Sequence, residues 1–69
     1  MRDKEEASKL LKLLNTCEEI AYRVSEALMD ARSMRLMQVE RVLETIKSYL
    51  DLLKRELEVK IEDLADQPA

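Results

Sequence analysis

Chemistry in this chain would have to come from one cysteine, fifteen carboxylates and twelve lysines or arginines, because there is no histidine to move a proton near neutral pH. A thiol becomes a useful nucleophile when a neighbouring base or positive potential favours the thiolate. Cys17 instead shares a helical stripe with Leu14, Ala21 and Val24, which marks it as a small core residue. The absence of glycine removes Walker loops and dinucleotide turns, whose backbones must approach phosphates closely.

The acids do not converge either. Bundle metal sites project carboxylates inward, commonly with a histidine three residues after a glutamate. Here Glu18 with Glu19, Glu40 with Glu44, and Glu58 with Glu62 fall outside the apolar stripes and read as solvated charges. Glu5 with Lys9, Glu19 with Arg23, Asp51 with Arg55, and Glu56 with Lys60 have the four-residue spacing that supports helices, each pair contributing roughly 0.3 kcal/mol. Neither an enzymatic activity, a metal nor any other cofactor is expected.

Arg23, Arg32, Arg35 and Arg41 make the region from Ile20 to Arg41 locally basic, and Arg32 or Arg35 turned inward could hold an anion. The whole chain carries a formal charge of −3, and these arginines alternate with Glu26, Asp30 and Glu40. A groove binder concentrates positive charge on one face, so a small nucleic-acid-binding regulator is a disfavoured alternative.

The elements that carry these residues are helices. With no glycine and only Pro68 near the end, the Leu-, Glu-, Lys-, Arg- and Ala-rich composition supports helix throughout. Asp3 followed by Glu6 resembles a capping box at the start. Leu10, Leu14, Cys17, Ala21, Val24 and Leu28 form the apolar face of a first helix, with Leu13 and Ala31 at its edge. A heavier, heptad-spaced stripe follows: Leu36, Val39, Leu43, Ile46, Leu50, Leu53, Leu57, Ile61 and Leu64. It reads as an association seam.

Arg32 and Arg35 interrupt the stripes, so the expected fold is all-α, an antiparallel hairpin over 1–66. Its helices span 4–31 and 34–65, with a turn at about 30–35, Ser33 as the second helix's cap and a disordered tail at 67–69. Two other arrangements fit the sequence. A single long helix in a coiled coil would exploit the 11-residue spacing of Cys17, Leu28, Val39, Leu50 and Ile61. An earlier break would use Thr16 with Glu19 as a capping box.

Two helices cannot enclose a core, and at this size a lone core rarely leaves more than roughly 3–5 kcal/mol of stability. With one cysteine and no histidine, neither a disulfide nor a zinc site of the usual kind can help. Pairing with itself, as a dimer or tetramer of helices in a four-helix bundle, is the expected remedy. Leu11, Tyr22, Met29, Val42 and Tyr49 lie off the main stripes as a candidate partner surface, while Leu52 and Val59 point away from the seam.

The resulting functional expectation is a self-assembling helical scaffold or regulator, or alternatively an adaptor or small chaperone for another protein's helix. No apolar run approaches the roughly 20 residues needed to cross a bilayer, and there is no charged, apolar, small-residue leader. A membrane role is not expected, and a cytoplasmic location with a reduced thiol is.

Overall fold

A computed structural model describes the backbone of residues 2–66 and the side chains of residues 4–66. The cap expected of Asp3 and the tail expected at 67–69 lie outside the described residues. Two helices, α1 (Arg2–Ser33) and α2 (Met37–Ala65), pack against each other as an antiparallel hairpin. The rod measures 53 × 14 × 11 Å, close to the about 48 Å that a 32-residue helix spans. The single continuous helix and the break at Thr16 are both excluded. Thr16 sits inside α1, where its hydroxyl donates to the Lys12 carbonyl at 3.0 Å.

The connection is Met34–Leu36, shorter and later than the 30–35 turn the sequence suggests. Its hydrogen bonds explain how a chain without glycine turns here. The Leu36 amide donates to the Ala31 carbonyl at 2.9 Å and the Arg35 amide to the Arg32 carbonyl at 3.1 Å. These are the six-to-one and five-to-two bonds of a Schellman cap, which needs a left-handed residue between them. Arg35 supplies it, at φ 58°. Ser33 is therefore the last residue of α1, not the cap of α2, and its hydroxyl turns back to the Asp30 carbonyl at 3.2 Å. Leu36 occupies the N-cap position of α2 without a side-chain cap bond, so this leucine belongs to the connection and not to the second helix's stripe.

The core is a single seam. On α1, Cys17, Leu28 and Ala31 are buried, and Ala7, Leu10, Leu14, Ala21 and Val24 are half-buried. They follow one another in alternating steps of three and four, the spacing of a two-helix seam. On α2, Leu57 is buried and Leu43, Leu50, Ile61 and Leu64 are half-buried. Alanines and a cysteine on α1 against leucines on α2 let the two backbones approach closely. Lys54, half-buried beside this row, lays an aliphatic stem along the same seam.

A left-handed arginine costs about 1–2 kcal/mol that glycine avoids, partly offset by glycine's greater freedom in the unfolded chain. Arg35→Gly should therefore raise stability by about 0.5–1 kcal/mol in urea titration, whereas Arg35→Val should lower it. Cys17, 6% exposed and without a disulfide partner, is packing. Its replacement by serine should cost about 1–2 kcal/mol of stability for burying a hydroxyl. A melting temperature unchanged by Cys17→Ser would contradict that assignment.

Candidate association surface

The two sides of the hairpin, flanking the seam, differ in character. One is charged. Arg32, in the last turn of α1, reaches across the turn to α2, its Nη2 3.2 Å from Glu44 Oε1 and its Nε 3.5 Å from Glu40 Oε2. The cation lies at a helix C-terminus and Glu40 in the first turn of α2, so both also suit their helix dipoles. Helical spacing places Glu18 and Ser25 of α1, and Asp51 and Glu58 of α2, along this same side.

The other side is apolar. In an antiparallel pair, positions flanking the seam on one helix meet the matching positions on the other, and the Arg32–Glu44 pair fixes which flanks meet. By that register Leu13, Ile20, Ala27 and Met34 of α1 line up beside Val39, Ile46 and Leu53 of α2. On α2 the apolar character continues outward through Val42 and Tyr49 to Leu52. Ile46 is 40% exposed, Leu53 45% and Tyr49 68%.

The nine-residue seam expected from sequence is thus divided between two tasks. Leu43, Leu50, Leu57, Ile61 and Leu64 cover α1, while Leu36, Val39, Ile46 and Leu53 remain exposed. The first-helix face of Leu10, Leu14, Cys17, Ala21, Val24 and Leu28 stays together against α2. Ala31 joins it at 3% exposure, although the sequence put Ala31 only at its edge. The off-stripe residues separate into two groups. Val42 and Tyr49 extend the apolar side, whereas helical spacing puts Leu11, Tyr22 and Met29 on the opposite flank of α1, also exposed.

A further feature escaped the sequence reading. Between Gln38 and Leu53 every charged residue of α2 falls outside the sector formed by Gln38, Val39, Val42, Thr45, Ile46, Tyr49, Leu52 and Leu53. At about 100° per residue these span an arc of about 140°. The signal was present in the sequence as the positions of Glu40, Arg41, Glu44, Lys47 and Asp51, which share the remaining arc.

Among the described residues no group of three or more potential metal ligands occurs, and no helix is long and apolar enough to cross a membrane. Arg32 is engaged by two carboxylates and Arg23 by Glu26 at 3.2 Å, so half of the basic cluster is already neutralised. No protein-family model, curated protein or solved structure matches the chain.

Arg32 is about half exposed, and exposed ion pairs contribute little individually. Arg32→Ala should lower stability by about 0.5–1 kcal/mol, and the difference from wild type should shrink in 1 M salt. Equal stability of the two proteins at low salt would show that the clamp contributes nothing.

Proposed function

We propose that the chain is a non-enzymatic protein-association module, a self-assembling helical scaffold or regulator whose hairpins pair into a four-helix bundle. The observation that carries this reading is the uncharged, exposed sector of α2 centred on Ile46, continuous with Ile20 and Ala27 of α1. Large contiguous apolar patches on a small protein mark interaction sites. The shape agrees. A compact chain of this mass exposes about 4,500 Å², whereas this one exposes 6032 Å². The surplus exceeds the about 800 Å² that each partner buries in an ordinary specific interface.

A second role rests on Leu11, Tyr22 and Met29, which lie away from that sector and would stay exposed in the bundle. They favour a module that also docks another protein's helix, the adaptor or small-chaperone reading. A buried, unpaired thiol suits a reducing compartment, so we place the module in the cytoplasm.

Thermal melting separates the two halves of the α2 stripe. In a folded oligomer the melting temperature rises with protein concentration. Ile46→Glu should abolish that dependence and lower the melting temperature, while Ser48→Glu, on the opposite face, should preserve it. Leu50→Asp, which faces α1, should remove helical circular dichroism at every concentration. A wild-type melting temperature independent of concentration over a hundredfold range would overturn self-assembly.

A further inference from the structure

Resting on the self-association just proposed, the geometry points to one pairing. We infer that a second copy covers the α2 sector through a two-fold axis perpendicular to the helices, at the level of Thr45–Ile46, with α2 antiparallel to the partner's α2.

A dimer built on one patch must be self-complementary, with the axis through the patch's centre. The uncharged sector runs from Gln38 to Leu53, and its midpoint falls between Thr45 and Ile46. Antiparallel pairing about that point sets Val42 against the partner's Tyr49 at the centre of the sector and, along the edge that carries Ile46, Val39 beside the partner's Leu53. Branched aliphatic residues thereby meet larger side chains at these positions, and the sector's polar members, Gln38 and Thr45, bring no charge into the contact.

Charge selects the same orientation. Beyond Leu53 the sector ends in Glu56, and Glu58, Glu62, Asp63 and Asp66 follow with only Lys60 among the acids. No basic residue lies in the last turn of α2 to balance them. The opposite end of the helix adjoins the tip, where Arg35 and Arg41 stand near the Arg32 that Glu40 and Glu44 already engage. Parallel pairing would set one acidic end on the other. Antiparallel pairing about Thr45–Ile46 instead brings each acidic end beside the partner's tip, which carries Arg35 and Arg41, twice by symmetry. Opposite charges at a contact rim set register and orientation.

Spin-label distances test this directly. Ser48→Cys, Arg55→Cys and Glu62→Cys, each in a Cys17→Ala background with helical content checked, put a nitroxide on the exposed face away from the sector. About this axis the separation between a label and its copy along the rod grows by about 3 Å per residue from the centre. That component should therefore lengthen by about 21 Å at each step from 48 to 55 to 62, and the measured distance, which also holds the labels' constant lateral offset, should rise at both steps and by more at the second. Equal distances at the three sites would mean parallel pairing and overturn this inference while leaving self-association intact. Distances nearly equal at 48 and 55, then lengthening at 62, would put the axis near Asp51 and also overturn it. An absence of dipolar coupling at every site and concentration would overturn both.

Discussion

The structure depends on a mismatch of width: the apolar arc of α2 is broader than one neighbouring helix can cover. The seam between α1 and α2 uses the side of the arc that carries Leu43, Leu50 and Leu57. The side that carries Val39, Ile46, Tyr49 and Leu53 is left in water. A helix apolar beyond a single stripe is one that sits among several neighbours. The rod is long because its helices are: a radius of gyration of 15.8 Å, against about 11 Å for a compact chain of this length, describes two long helices lying side by side.

The seam is built from unequal partners. On α1, alanines and Cys17 alternate with Leu10, Leu14, Val24 and Leu28, whereas the α2 side of the seam is mostly leucine. Among the described residues only Cys17, Leu28, Ala31 and Leu57 become buried. That is a thin core for a domain that must offset the ordering entropy of more than sixty residues, so the proposed association would contribute to folding as well as to function. The Arg32 clamp and the Schellman cap at Arg35 lie together at the tip, where they tie the end of α1 to the start of α2.

Much of this was legible in the residues, and the failures have definite physical origins. The α1 face was readable because three-and-four spacing of apolar residues has one geometric meaning in a helix. The α2 stripe was readable as apolar, but its division was not. Periodicity locates the centre of a face without saying which neighbour covers each half, and that information entered through Arg32, whose reach to Glu44 fixes the flanks. The turn was displaced because no glycine announced it. Arginine took the left-handed position, and Ser33, a cap by composition, bonded backwards to Asp30 instead.

Whether the open side of α2 is covered in solution is measured most directly by sedimentation equilibrium over a wide concentration range. The expected mass is twice the chain's 8.1 kDa, or a higher even multiple, falling toward one chain only on strong dilution. A mass of one chain throughout, with helical content retained, would contradict it.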